Sequence, residues 1–311
     1  MNIRDTLNKD YGEIATAGNK YPKAEFISSG NYKFDAVTGG GFARGHMTEI
    51  VGEEGTGKTA LCLQAIAEAQ RNGMVCYFVD AEGRLNRERA EALGVDLAKL
   101  TIIIPKYGEQ ACDAMRDIIE SGEVDLLVLD SLPALTSKTK LDKTEGGGPI
   151  GSHARMWGEF LTKIIAGFSQ RKTAFVVINQ VRKNLVGLMN PYAPGAKDPY
   201  SFPGGTAQKF YASNRVFLKK MEQGTELGYK IKFRTLKSSF TRPFLEAESF
   251  FDWEKGFSNE TDILELAIDK GIITRDGAGY FFEGEKISHG QKKMRELMQT
   301  EFGEKIAALL S

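Results

Sequence analysis

The chain has 311 residues, with 41 Lys and Arg against 41 Asp and Glu, so its formal net charge is zero. At 41% hydrophobic and 26% charged it has the composition of a folded protein, either one large domain or a core with appendages. A neutral chain excludes bulk electrostatic attraction to an acidic polymer, so any nucleic-acid site must be a local patch.

The N-terminus, MNIRDTLNKDYGEIATAG, has no apolar signal-peptide core, and no apolar run approaches the ~18 residues of a membrane span. A cytosolic protein without membrane contact is expected. Cys62, Cys76 and Cys112 lack metal-like spacing and read as small buried hydrophobes of a reducing compartment.

A short amphipathic piece, about residues 2 to 11, precedes a polar linker that runs to about Lys23. Apolar strands and helical patterns then alternate. MTEIVG (47–52) reads as a strand and TALCLQAIAEAQRN (59–72) as a helix. MVCYFVD (74–80) is a strand and RERAEALG (87–94) a helix. LTIIIP (100–105), EQACDAMRDIIESG (109–122) and VDLLVLD (124–130) repeat the rhythm, as do RMWGEFLTKIIAGFSQ (155–170) and TAFVVINQ (173–180). Near-continuous apolar strands separated by helices predict a mainly parallel sheet covered on both faces.

Two stretches break the rhythm. DKTEGGGPIGSH (142–153) is Gly-rich, and the segment 181–205 holds four prolines. Loops of this length inside a compact domain are usually functional or disordered. Antiparallel strands are expected from Arg215 to about Phe251, and a small C-terminal domain beyond Trp253.

GEEGTGKT, Gly52 to Thr59, matches G-x-x-x-x-G-K-[ST] after an apolar strand and at a helix start. Its glycines let successive backbone N–H groups face phosphate oxygens, and the helix N-terminus favours negative charge. The candidate nucleotide-binding residues are Gly52, Glu53, Glu54, Gly55, Thr56, Gly57, Lys58, Thr59 and Ala60. Lys58 is expected on the β- and γ-phosphates and the Thr59 hydroxyl on Mg²⁺. Asp130, ending VDLLVLD, is the candidate second carboxylate on the Mg²⁺ side, acting through water, and Ser131 is placed to support it.

Asp80 and Glu82 stand two apart at a strand end. Alone they fit a catalytic pair, a metal site or the solvated start of a helix. Beside a P-loop, Glu82 is placed to activate the attacking water, with Gln180 as the other candidate for that task. A neutral amide at a core strand end can also bond the γ-phosphate and report its loss to the loop behind it.

The motifs GEEGTGKTAL, VDAEGRLNRERAEALGVD, YGEQACD, LLVLDSLPALTSK, INQVR, GGTAQKFYASNR and GEKISHGQ come in the order and approximate spacing of the RecA recombinases, which the chain resembles over about residues 24 to 295. INQVR and KFYASNR carry most of the specificity. The resemblance implies an α/β fold: a RecA-type P-loop NTPase core (24–252) with a short N-terminal oligomerisation segment (1–23) and a small α+β C-terminal domain (253–311). It implies an ATP- and Mg²⁺-dependent, DNA-stimulated ATPase that polymerises with itself into helical filaments on single-stranded DNA. Those filaments pair with homologous double-stranded DNA and exchange strands in recombination and repair. Single-strand-binding and loader proteins are possible partners.

Residue by residue, the resemblance makes Glu82 the water activator, Gln180 the γ-phosphate sensor and Lys58 a catalytic phosphate ligand. It puts Phe210 at the subunit interface and Lys209 beside it against the neighbour's ATP. The DNA loops fall at 142–155 and 181–205, with Arg155, Arg182, Lys183, Gly204, Gly205 and Thr206 as contacts. Arg182, Lys183 and Lys197 face one acid, Asp198, while Leu185, Val186, Leu188 and Met189 offer apolar wedges and Gly146 to Gly148 a flexible backbone. Without the resemblance, a disordered surface loop fits the same residues.

The chain departs from the family at identifiable positions. Of two lysines that reach ATP across the interface, Lys237 is kept while the second position is Ser239, with Arg242 nearby as a substitute. Arg89 stands where the family stacks an aromatic on adenine, and a guanidinium plane also stacks on a base. The chain stops at EKIAALLS without the family's acidic tail, from which a version with looser control of DNA access, or a phage-type version, is expected. Lys292, Lys293 and Arg295 form either a duplex-gathering patch or a solvated helix face. A ring helicase and a non-hydrolysing paralogue are the competing readings. The chain is short for a helicase collar, and intact Lys58, Thr59, Glu82 and Asp130 argue against loss of hydrolysis.

Overall fold

The computed structural model describes residues 2–12, 15–20, 22–141, 151–168, 170–183 and 200–310. The expectations placed on Gly146 to Gly148, Leu185, Val186, Leu188, Met189, Lys197 and Asp198 lie outside the described residues.

In chain order the strands are β1 (Phe26–Ile27), β2 (Phe42–Ala43), β3 (Met47–Gly52), β4 (Cys76–Asp80), β5 (Leu100–Ile103), β6 (Leu126–Asp130) and β7 (Ala174–Gln180). They continue with β8 (Arg182–Lys183), β9 (Tyr200–Ser201), β10 (Asn214–Thr225), β11 (Gly228–Ser238), β12 (Glu246–Asp252) and β13 (Gly256–Phe257). The last three are β14 (Ile273–Asp276), β15 (Gly279–Phe282) and β16 (Glu285–His289). The helices are α1 (Ile3–Tyr11), α2 (Tyr32–Thr38), α3 (Lys58–Arg71), α4 (Arg87–Ala92), α5 (Gly108–Ser121) and α6 (Lys138–Leu141). They end with α7 (Ser152–Phe168), α8 (Ala207–Tyr211), α9 (Asn259–Asp269), α10 (Gln291–Met298) and α11 (Glu301–Leu310).

Nine strands form the central sheet in the order β13-β12-β11-β10-β3-β7-β6-β4-β5. The six from β10 to β5 run parallel. β10 to β13 extend the sheet antiparallel, as the sequence predicts. All six residues of β3 are buried, as are the first six of β7. The period of two sends alternate residues to opposite cores. Ile50, Val128, Val176 and Ile178 pack under α2 and α3, against Phe34, Leu61 and Ala65. Leu127, Leu129, Phe175 and Val177 pack under α5 and α7, against Met115, Ile119, Trp157 and Leu161. The two-sided apolar strands therefore have the two covered faces that their composition demands.

Beyond β13 the chain builds a third core of Leu264, Ala267, Ile273, Tyr280, Phe282, Met294, Met298 and Ile306. It lies between the three-stranded sheet β14-β15-β16 and the helices α9 to α11. This unit is tied to the large core through polar contacts. Asp262 Oδ2 accepts from Ser249 Oγ at 2.5 Å, and Asn259 Nδ2 donates to the Gly30 carbonyl at 2.6 Å. Within α10, Lys292 and Lys293 are exposed, but the Arg295 guanidinium lies over the Phe250 ring, 4.2 Å from its centroid. Of the three cations that the sequence reads as either a duplex-gathering patch or a solvated helix face, two are exposed lysines and the third packs against an aromatic face.

The N-terminal helix α1 is capped by Asn2, whose side chain accepts from the Arg4 and Asp5 backbone N–H groups. No residue of α1 is buried, and Ile3 and Tyr11 are exposed. No described helix is long and apolar enough to cross a membrane.

Candidate nucleotide and DNA site

Parallel strands deliver their carboxyl ends to one edge of the sheet, where ligands of open α/β sheets bind. Here that edge gathers Gly52 from β3, Gln180 from β7, Asp130 from β6 and Asp80 from β4. Gly52 is the register partner of Gln180, and Asp80 that of Asp130. A cleft of about 480 Å³ opens at this edge.

The loop from β3 to α3 has Gly55 at φ 71° and Gly57 at φ 76°, a left-handed conformation that a side chain resists. At Gly57 a Cβ would also press on the Phe251 and Phe257 rings, at 3.0 and 3.1 Å. Glu54, Gly55, Thr56, Gly57, Lys58, Thr59 and Ala60 line the cleft, whereas Gly52 and Glu53 form the base of the loop. Lys58 is buried, with Nζ donating to the carbonyls of Gly52 at 3.1 Å and Glu53 at 2.6 Å. Burial lowers its ammonium below the usual range, opposed by Asp130, Glu54 and Glu82.

Thr59 Oγ1 donates to Asp130 Oδ2 at 2.7 Å. Burial pushes the Asp130 carboxyl up to about 6; Glu82 and Asp80 add to the rise, while the Thr59 hydroxyl and Lys58 oppose it. A carboxyl this buried and this crowded by acids calls for a cation. Among the described residues no group of three His, Cys, Asp or Glu side chains could hold a metal ion alone. The pair Thr59 and Asp130 therefore fits Mg²⁺ that arrives with nucleotide phosphates, since Mg²⁺ usually takes one or two protein oxygens.

The two acids that open the question of catalysis have different partners. Glu82 Oε1 accepts from Ser131 Oγ at 2.6 Å, and Gln180 Nε2 approaches it at 3.4 Å, the long end of a hydrogen bond. Glu82 and Gln180 both line the cleft. The buried Asp80 carboxylate instead accepts from the backbone N–H of Arg84 at 3.2 Å and of Leu85 at 3.0 Å. Asp80 fixes the turn out of β4, so the acidic pair divides into a cleft-lining carboxylate held by side chains and a structural cap.

The aromatic side of the cleft, unlike Arg89 beside it, was not visible in the sequence. Tyr229, Phe251 and Trp253 line it, joined by Leu85, Asn86 and Arg89. Tyr229 donates its hydroxyl to the Gly55 carbonyl at 2.6 Å and packs edge-on to Trp253 at 4.7 Å. Arg89 is hydrogen bonded through its guanidinium to the Glu254 carbonyl, which holds it against the β12–β13 turn. Trp253 is 52% exposed, with the Lys220 ammonium 5.5 Å from its ring centroid.

None of Lys209, Phe210, Lys237 and Arg242 lines this cleft. The structure brings the first three together elsewhere. Lys237 Nζ donates to the carbonyls of Lys209 at 3.1 Å and Phe210 at 2.8 Å, at the end of α8. Burial lowers the Lys237 ammonium, and Arg215 adds to this. Phe210 is 76% exposed.

A second cleft, of about 350 Å³, joins the ends of the two candidate DNA loops. Ser137, Lys140, Ser152, His153, Phe202 and Gly204 are among its lining residues. At Gly204 a Cβ would meet Leu132 at 2.7 Å, and at Gly205 it would meet Ala154 at 2.9 Å, so both glycines are sterically required. Thr206 takes the N-cap position of α8. Arg182 pairs through its backbone with Ser201, and Lys183 with Tyr200. Arg155 is exposed on α7 and paired with Glu159 at 2.9 Å.

A buried polar network links the two clefts, and sequence reasoning missed it. Glu49 Oε2 accepts from Arg215 Nε at 2.5 Å, and Glu49 Oε1 accepts from Asn179 Nδ2 at 2.8 Å. Asn179 also donates to the Pro203 carbonyl at 3.1 Å and, through Oδ1, accepts from the Gln180 N–H at 2.9 Å. Gln208 Nε2 holds Pro203 and Gly205 by their carbonyls, at 2.8 and 2.9 Å.

The family model for the RecA N-terminal domain matches residues 3–258. Protein RecA of Aquifex aeolicus is 36% identical over 282 residues, covering 89% of this chain and 80% of that relative. Protein RecA of Corynebacterium jeikeium is 36% identical over 301 residues, covering 94% and 78%. Protein RecA of Enterococcus faecalis is 35% identical over 300 residues, covering 94% and 84%. With a matched P-loop core and these relatives over nearly its whole length, the chain belongs to the RecA family.

Proposed function

We propose that this chain is an ATP-dependent recombinase, which forms helical filaments on single-stranded DNA and carries out homologous pairing and strand exchange in DNA repair. One observation carries the hydrolytic part: a single cleft in a RecA-family chain brings Lys58, Thr59, Glu82, Asp130 and Gln180 together.

In this reading the P-loop N–H groups and Lys58 hold the phosphates of ATP, and Lys58 leaves the loop carbonyls to do so. Thr59 and Asp130 would hold Mg²⁺, which supplies charge neutralisation on the phosphates when bound. Glu82, steadied by Ser131, takes the proton of the attacking water. Gln180 meets the γ-phosphate. Its neighbour Asn179 is bonded to Pro203, so a shift of the β7 end on phosphate loss has a direct path to the second DNA loop. Arg155, Arg182, Lys183, Gly204, Gly205 and Thr206 are the proposed DNA contacts. Phe210, Lys209, Lys237 and Arg242 form the proposed surface that meets a neighbouring subunit and its ATP.

The organisation into an N-terminal oligomerisation segment, an ATPase core and a small C-terminal domain belongs to the same proposal, with the core closed by the β12–β13 pairing at Phe257. DNA as substrate puts the activity in the cytoplasm, where single-strand-binding and loader proteins are the expected accessory partners.

The test is the ATPase rate with and without single-stranded DNA, with the same samples imaged by electron microscopy. DNA-stimulated hydrolysis with helical filaments is expected. Closed rings, or hydrolysis indifferent to DNA, would overturn the recombinase reading.

A further inference from the structure

Three cationic side chains line the nucleotide cleft: Lys58, Arg84 and Arg89. Lys58 is engaged by the loop carbonyls and Arg89 by the Glu254 carbonyl. The Arg84 guanidinium is exposed and has no hydrogen bond or ion pair among the described residues. Its backbone is fixed, because Asp80 Oδ1 accepts from the Arg84 N–H and Oδ2 from the next N–H along. A rigid turn thus carries an uncommitted cation into the wall of the cleft.

The charge of the cleft gives this cation a purpose. Four carboxylates line it (Glu54, Asp80, Glu82 and Asp130) against the three cations. A nucleoside triphosphate adds more negative charge, and an unneutralised anion in a partly buried site is costly. Position selects the end of the ligand. Lys58, Thr59, Glu82 and Asp130 mark the phosphate and metal end; Arg89, Tyr229 and Trp253 mark the base end. Arg84 follows Glu82 by two residues and precedes Arg89 by five. Its fork of donors matches phosphate oxygens in a way that neither a ribose nor an apolar base face requires.

We propose that Arg84 is a phosphate-binding residue of this site, contacting the terminal phosphate of the triphosphate from the same subunit that supplies the P-loop. The inference rests on the reading that the cleft takes ATP. It makes Asp80 a positioning residue, acting through the turn that aims Arg84.

The test is equilibrium binding without DNA, by titration calorimetry, of the β,γ-imido analogue of ATP and of ADP to wild type, Arg84→Ala, Arg84→Lys and Lys58→Ala. Arg84→Ala is expected to weaken the triphosphate analogue about tenfold or more and ADP by only about twofold, with partial recovery in Arg84→Lys. Because the side chain has no protein partner, all Arg84 variants should unfold at the wild-type temperature in the absence of nucleotide. Equal losses for the two nucleotides, or no loss for either, would overturn the terminal-phosphate contact while wild-type binding upholds the ATP site. Wild type binding neither nucleotide, or Lys58→Ala binding both normally, would overturn the ATP reading itself and the inference with it.

Discussion

Ser131 donates its hydroxyl to Glu82 Oε1 at 2.6 Å, within a cleft where Asp130 is held by the metal-side threonine and Asp80 by a backbone cap. The serine follows Asp130 directly, so one strand end both supplies the metal-side carboxylate and orients the water activator. Glu82→Gln should lower the ATPase turnover number by about 10² to 10⁴ while leaving nucleotide affinity near wild type. Ser131→Ala removes one hydrogen bond to a charged group and should cost about tenfold in turnover. Steady-state hydrolysis measured beside nucleotide binding separates the two effects. Glu82→Gln hydrolysing at the wild-type rate would remove Glu82 from the mechanism.

The base end of the cleft makes a separate prediction. Arg89 and Trp253 offer a guanidinium plane and an aromatic surface from opposite parts of the chain. Stacking a base on such a group is worth about 1–3 kcal/mol. Arg89→Ala and Trp253→Ala should therefore each weaken ATP binding by roughly tenfold with little change in turnover at saturation. Affinity unchanged in Arg89→Ala would refute its stacking role. Arg89→Ala also frees the Glu254 carbonyl, so Arg89→Lys, which keeps charge but loses the plane, distinguishes stacking from support of the β12–β13 turn.

Much of this arrangement was legible because the residues involved are local in sequence. GEEGTGKT carries its own turn chemistry, and the apolar runs of β3, β6 and β7 announce strands buried on both faces. Glu82, Asp130 and Gln180 could be placed because each follows such a run. Tyr229, in an antiparallel strand, and Trp253, in the turn after β12, could not, since such aromatics are usually core or surface packing, and only the sheet order brings them beside a loop some 170 to 200 residues earlier. The same holds for Glu49 and Arg215. They are register partners across β3 and β10, so their ion pair is set by strand order and register, which no local pattern states. Arg295 fails in the opposite sense. The sequence shows its charge but not that the guanidinium lies over Phe250.

Lys237 tests the proposed subunit interface. In a single subunit its ammonium already grips the last carbonyls of α8, beside the exposed Phe210 ring. Its cost of burial suits a group that gains an anionic partner when a neighbour's nucleotide docks. Lys237→Ala should abolish DNA-stimulated hydrolysis while leaving nucleotide binding in the absence of DNA intact. ATPase assays with and without single-stranded DNA decide this, and near-normal stimulated turnover would sink the trans contact. Mixing Lys237→Ala with Glu82→Gln subunits sharpens the result. Restored stimulated activity in the mixture requires that one subunit's lysine serve another's ATP.

The contact between the C-terminal unit and the core should titrate. Asp262 is buried, pairs with Lys33 at 3.3 Å, and accepts from Ser249 Oγ and from the Phe250 N–H at 3.2 Å. Burial raises its carboxyl above the ordinary 3.8 despite these partners, and burial raises Asp35 in the same sense. Well below 3.8 the carboxyl is protonated in both folded and unfolded chains and contributes no pH dependence. As pH rises from 3.8 through the folded value, the unfolded chain releases its proton first, so the native state loses stability across that window. Asp262→Asn cannot ionise, yet it replaces one of the two acceptor oxygens with an N–H₂ donor and gives up the Lys33 pair, at a cost of about 1–3 kcal/mol. The variant should therefore be less stable than wild type, with a gap that narrows as pH rises above 3.8 through the raised folded value. Urea unfolding of both proteins at a series of pH values measures the gap. One that stays constant or widens with pH would show that burial does not raise the Asp262 carboxyl.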